Sequence, residues 1–189
     1  MNTTTLIIHP KDPSTVFLND VYSAIPKKLV VQEGKTKKEV YEMIDSHEQV
    51  LMMGHGSPSG LFAIGQFPET SLYIIDNEMI SILEKKQNNV FIWCYASSFI
   101  DKTNLPGFAT GMFISEVGEA LSCGLKGINQ QIVDESNCTF VREIAKSIHL
   151  DSRSMFKNIL QSDYKKLAAI NPVAKYNYDR IKHNELIHK

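Results

Sequence analysis

Two residues able to do covalent chemistry stand directly behind apolar runs. His55 follows Gln49–Met53 inside Gly54-His55-Gly56, and Cys94 follows Asn89–Trp93 and leads into Tyr95-Ala96-Ser97. A cysteine attacks as its thiolate, and a free thiol with a pKa near ~8.5 is mostly protonated at neutral pH, so it needs a base or a cationic neighbour. A histidine supplies that partner, because it can take the thiol proton and hand it to a departing amine. Cys123 and Cys138 fall in helical patterns with no His nearby and read as core residues. His9, His47, His149, His183 and His188 show no ligand spacing, so neither a metal nor a cofactor is expected. The glycines around His55 lack the pattern and the lysine of a phosphate-binding loop.

For His55 and Cys94 to meet, the segments carrying them must lie side by side. Both apolar runs have the length and near-continuous hydrophobicity of buried parallel strands. The stretch Asp76 to Lys86 between them reads as a helix. A strand–helix–strand unit puts both strands in the same direction, so the residues just past their carboxyl ends share one rim of the sheet.

The remaining chain extends this plan. Thr3 to Ile8 reads as a first strand, ended by His9-Pro10-Lys11-Asp12-Pro13, and Ser14 or Thr15 could cap a short helix through Tyr22. Leu29 to Gln32 reads as a strand, and Thr36 to Ser46 as a helix opened by a Thr36/Glu39 capping box. Gly60 to Tyr73 suggests a small hairpin beside the site, Ser98 to Gly107 a loop, and Ala109 to Ser115 a fifth strand weakened by Gly111. Helices are expected over Glu116 to Ser122, Gln130 to Ile148 and Arg153 to Ala169, with a polar tail after Pro172. The expectation is one α/β domain over 1–189: a three-layer sandwich around a mostly parallel central sheet in 1–127, then a helical C-terminal third in 128–189.

With 20 Lys+Arg against 21 Asp+Glu, nothing favours nucleic acid or an anionic membrane as partner. No apolar run nears the ~18 residues of a membrane span, and Met1 to Ile8 lacks the features of a signal peptide. Three cysteines without a paired framework fit a reducing, cytoplasmic setting.

The ordered pair of motifs, Val50-Leu51-Met52-Met53-Gly54-His55-Gly56 and then Val90-Phe91-Ile92-Trp93-Cys94, resembles the signature of the caspase-like cysteine peptidases. That clan includes caspases, gingipains, clostripain, legumain, separase and the bacterial caspase-like (CHAT) domains. The caspase Gln-Ala-Cys-Arg/Gln-Gly signature is absent, so cleavage after aspartate is not implied, and the bacterial and gingipain-like branches are the closer comparison. The resemblance implies a cysteine endopeptidase with Cys94 as nucleophile and His55 as general acid/base. It also implies an oxyanion hole made by the backbone N–H groups of Gly56 and Cys94.

A substrate-side pocket would draw on the loops at the same rim: the loop after strand one, with Asp12, and the loop after strand five, with Ser115, Glu116 and Glu119. A carboxylate at Asp12 or Glu116 would select a basic P1 side chain, as gingipain- and clostripain-like enzymes do. The partners expected are a peptide or protein substrate and a regulatory protein. Two other readings stay open. One is a catalytically silent caspase-like domain serving as an interaction module. The other is a flavodoxin-like ligand-binding domain, in which His55 and Cys94 are too far apart to exchange a proton.

Overall fold

A computed structural model describes residues 4–70 and 72–185. The expected beginning of the first strand at Thr3 and the end of the tail (186–189) lie outside the described residues. The chain opens with β1 (Thr5–Ile8), a 3-10 segment (Pro13–Leu18), α1 (Asn19–Tyr22), β2 (Lys28–Val31) and α2 (Lys37–Asp45). Then come β3 (Gln49–Met53), β4 (Gly56–Ser57), β5 (Gly60–Phe62), β6 (Tyr73–Ile75), a 3-10 turn (Asn77–Met79), α3 (Ile80–Leu83) and β7 (Asn88–Ile92). The last part holds α4 (Ala96–Thr103), β8 (Gly107–Ala109), α5 (Val117–Ser122), α6 (Gln130–Ser147), α7 (Ser152–Ile159), α8 (Asp163–Ala168), α9 (Pro172–Tyr178) and β9 (Lys182–Asn184).

The architecture is α/β. A six-stranded sheet runs in the order β2-β1-β3-β7-β8-β9, parallel throughout except for β9, and helices cover both of its faces. Strand alternation sorts the core into two layers. Leu6, Ile8, Val50, Met52 and Phe91 face α2, α3 and α4, whereas Ile7, Leu51, Met53, Val90 and Ile92 face α1, α6, α7 and α8. Every one of these ten side chains is buried, which is why the strands read as continuous apolar runs. β3 and β7 pair from Gln49↔Asn88 to Met53↔Ile92, so His55 and Cys94 emerge together at the carboxyl rim. No helix among the described residues is long and apolar enough to cross a membrane.

Several expectations are corrected. The loop drawn over Ser98 to Gly107 is helix α4, because Ala96, Phe99 and Ile100 form a buried stripe and Phe99 packs on Phe91 and Trp93. The fifth strand is β8, shorter and earlier than Ala109 to Ser115. At Gly111 the chain passes so close to Arg180 that an added Cβ would lie 2.6 Å from Arg180 Cβ. The helix expected over Arg153 to Ala169 is two helices, with Ser162 capping the second. The segment after Pro172 is not a bare polar tail: Asn171 caps α9, Pro172 takes its first turn, and β9 pairs antiparallel with β8. The hairpin beside the site is a three-stranded antiparallel sheet, β4-β5-β6. The 3-10 segment is capped by Asp12, not by Ser14 or Thr15. Cys138 is exposed and Cys123 only half-buried, so neither is the core residue expected.

Candidate functional site

At the end of β3 the backbone turns through Gly54, whose φ of 138° is open to glycine but not to side-chain-bearing residues. The turn is tied to β7 by the Gly54 N–H bonding the Ile92 carbonyl at 3.0 Å. Next to it, β7 gives way to Trp93 and Cys94, then to Tyr95 in the left-handed region (φ 66°, ψ 22°), and α4 starts at once. For a bulky residue this conformation is strained, and it makes a sharp strand-to-helix elbow with the thiol at its bend. Tyr95 itself is 44% exposed.

His55 and Cys94 line one cleft, together with Thr15, Phe17, Leu18, Ile92, Phe113 and Ser115. The cavity volume is about 20 Å³, room for roughly one water molecule. The thiol donates to the Phe113 carbonyl at 3.4 Å, and burial pushes its pKa up to about 11. In this closed arrangement burial keeps Cys94 a neutral thiol at pH 7.

His55 is held on its other side by two residues at the start of the 3-10 segment, from the loop after β1 on the same rim. Its Nε2 lies 2.6 Å from Ser14 Oγ and 3.6 Å from Asp12 Oδ1. Ser14 also donates both its hydroxyl and its backbone N–H (2.8 Å) to Asp12 Oδ1. Since the Ser14 proton goes to Asp12, a neutral His55 carries its hydrogen on Nε2 and donates it to Ser14, leaving Nδ1 as the basic nitrogen. The Ser14 hydroxyl and backbone N–H, with His55 alongside, hold the Asp12 carboxyl below its ordinary range. Asp12 was expected in a substrate pocket. Its lone pairs are instead committed to Ser14 and to the His55 side of the site. Ser14, read from sequence as a helix cap, is the site residue that sequence reasoning missed. Its signal was Asp-Pro-Ser placed directly after a strand on the rim that carries His55 and Cys94.

The segment carrying Asp12 and Ser14 is itself anchored by a buried histidine. His9, 2% exposed, contacts Tyr22 Oη at 3.0 Å and Thr15 Oγ1 at 3.2 Å, and desolvation lowers its pKa to about 4.

Gly56 sits in β4, where the neighbouring ladder bond runs from the Phe62 N–H to the His55 carbonyl at 2.9 Å and leaves the Gly56 N–H off the ladder. An added Cβ there would lie 2.3 Å from Trp93 Cδ1, so glycine is required by close packing on Trp93. The Cys94 N–H makes no hydrogen bond among the described residues.

Ser115 borders the cleft and also a separate, open groove with Pro13, Ser14, Phe17, Glu116 and Asp134. Glu119 is used inside its own helix turn, where it accepts from the Ser115 N–H (2.7 Å), the Ser115 hydroxyl (3.0 Å) and the Glu116 N–H (3.2 Å). No group of three or more His, Cys, Asp or Glu among the described residues could hold a metal ion. No protein-family model matches the chain, and no curated protein matches it significantly.

Proposed function

We propose that the chain is a latent cysteine endopeptidase of caspase-like fold, with Cys94 as nucleophile and His55 as general acid/base. The observation that carries this reading is their meeting in one cleft at the ends of adjacent parallel strands, with His55 braced on its far side. A flavodoxin-like domain with incidental His and Cys has no reason for that shared cleft or for the brace.

In the working state Nδ1 of His55 takes the Cys94 proton and Sγ bonds to the scissile carbonyl carbon. The oxyanion is met by the N–H groups of Gly56 and Cys94. His55 then protonates the leaving amine as the C–N bond breaks. Water, deprotonated by His55, hydrolyses the thioester and restores the thiol. The closed cleft and the raised thiol pKa make this a resting form, so activation requires Phe113–Ser115 to withdraw from Cys94. A regulatory protein partner is the agent this reading assigns to that step, and a peptide or protein is the substrate.

The same two observations favour a second reading, a catalytically silent caspase-like module, because such a domain can keep its thiol sealed permanently. Labelling with a peptidyl acyloxymethyl ketone separates the two, using wild type, His55→Ala and Cys94→Ala. The peptidase reading expects slow adduct formation on Cys94, through transient withdrawal of Phe113–Ser115, that falls at least roughly tenfold without His55. Labelling no faster than that of a small alkylator, and unchanged in His55→Ala, overturns it.

A further inference from the structure

A cavity of about 480 Å³ opens at the other end of the central sheet, where the parallel strands begin. Its floor is formed by Thr5 of β1 and Gln49 of β3, and its walls by the turn from α1 into β2 and the last turn of α6. Small side chains leave the space: Ala24 and Pro26 line one wall and Ala145 the other, with Ile25 completing an apolar surface. The amide of Gln49 is fixed within the floor. Its Oε1 accepts from the Thr5 hydroxyl at 2.9 Å and its Nε2 donates to the Ile148 carbonyl at 2.7 Å. The second Nε2 hydrogen has no partner among the described residues, and the side chain carrying it is only half-buried. Apolar walls of this volume with a few oriented polar groups are the usual form of a small-molecule site.

The polar groups at this cavity are donors. Lys27 lines it, and the main chain brings that residue to Gln49: the Lys27 carbonyl accepts from the Thr5 N–H at 3.1 Å, and the Thr5 hydroxyl bonds Gln49. No Asp or Glu lines the cavity; Asp20 and Glu48, next in sequence to Val21 and Gln49, stay outside it. The carboxyl end of α6 carries partial negative charge, but its Ile148 and Ser147 carbonyls are covered by Gln49 Nε2 and by the Leu150 N–H. We infer that this cavity binds a small amphipathic carboxylic acid, its acyl or aryl tail against Ala24, Ile25 and Ala145 and its carboxylate held by Lys27 Nζ and the spare N–H of Gln49. A neutral ligand would leave the charged donor unused, and a cationic one would meet Lys27. The inference goes beyond the peptidase reading and does not rest on it.

The test uses 4-phenylbutyrate as probe on the wild-type chain, with 4-phenylbutanamide as its uncharged isostere and 4-phenylbutylamine as the cation. Binding is followed by isothermal titration and by the side-chain amide resonances of Gln49. The result expected is saturable binding of the carboxylate, a shift of the Gln49 resonances, and affinity weaker by about fivefold both for the amide probe and in Lys27→Gln. Ala24→Trp, at an exposed position of the mouth, fills the space and should weaken binding at least roughly tenfold without unfolding the chain. The exposed Lys157→Gln serves as a control with unchanged affinity. Equal binding of the amide, preference for the amine, absence of saturable binding, or binding that ignores Ala24→Trp or leaves Gln49 unmoved each overturns the inference.

Discussion

Ser14 Oγ and His55 Nε2 stand 2.6 Å apart, across 41 residues of sequence, and this contact decides which nitrogen of the imidazole is free to act. Replacing Ser14 by Ala keeps the Asp12 cap on the backbone N–H of residue 14 but removes the acceptor for Nε2–H. The imidazole ¹⁵N shifts of His55 are expected to report the Nε2–H tautomer in wild type and a mixture in Ser14→Ala. An unchanged tautomer would show that Ser14 does not set it.

Cys94 gives a pH prediction with a definite sign. Burial raises the folded thiol to about 11, whereas an unfolded thiol ionises near its ordinary value. The stabilisation is complete below pH ~9 and is lost as pH rises from there toward 11, on the order of 2 kcal/mol in all. Urea denaturation at pH 7.5 and pH 10.5 should show a loss in wild type that Cys94→Ala lacks. Alkylation of Cys94 in the resting protein should likewise keep rising above pH 9.

His9 acts at the other end of the scale. Its folded pKa, lowered to about 4, lies below the ordinary 6.5, so the folded state requires neutral imidazole. Stability is complete above pH 6.5 and declines as pH falls toward 4, by up to roughly 3 kcal/mol. Melting temperatures at pH 7 and pH 5 should separate more in wild type than in His9→Gln. Because His9 supports Thr15 and Tyr22, the same acid should loosen the segment that braces His55.

The two glycine and left-handed positions at the rim predict opposite responses. Gly56→Ala places a methyl against Trp93 and the Gly60 carbonyl, and should cost about 1–3 kcal/mol in chemical denaturation. Tyr95→Gly should be neutral or slightly stabilising, whereas Tyr95→Val should destabilise, since a β-branched residue is poorly tolerated at φ 66°.

The contrast between what the sequence reveals and what it hides follows from range. Gln49–Met53 reads as a buried strand because Val50 to Met53 form a continuous apolar run, and the Thr36/Glu39 box marks its helix within four residues. The placement of His55 and Cys94 on one rim follows from topology alone. Helix α4 was not legible, because Ser97 and Ser98 look like loop residues and its stability comes from Phe99 meeting Phe91 and Trp93. Nor were the Ser14 brace and the sealing of Cys94 by Phe113, which join residues 41 and 19 positions apart with no local pattern to announce them.

The antiparallel strand β9 has a consequence for self-association. A parallel sheet ending at β8 would offer an open row of N–H and C=O groups to any other extended chain. Lys182–Asn184 fills that row, and Lys182 is tethered to Asp101 at 2.5 Å. The border on this side is then β9, only three residues long, antiparallel and carrying Lys182, and a short charged edge is a poor template for another chain. The opposite border, β2, begins with Lys28, a charge that discourages strand addition there as well.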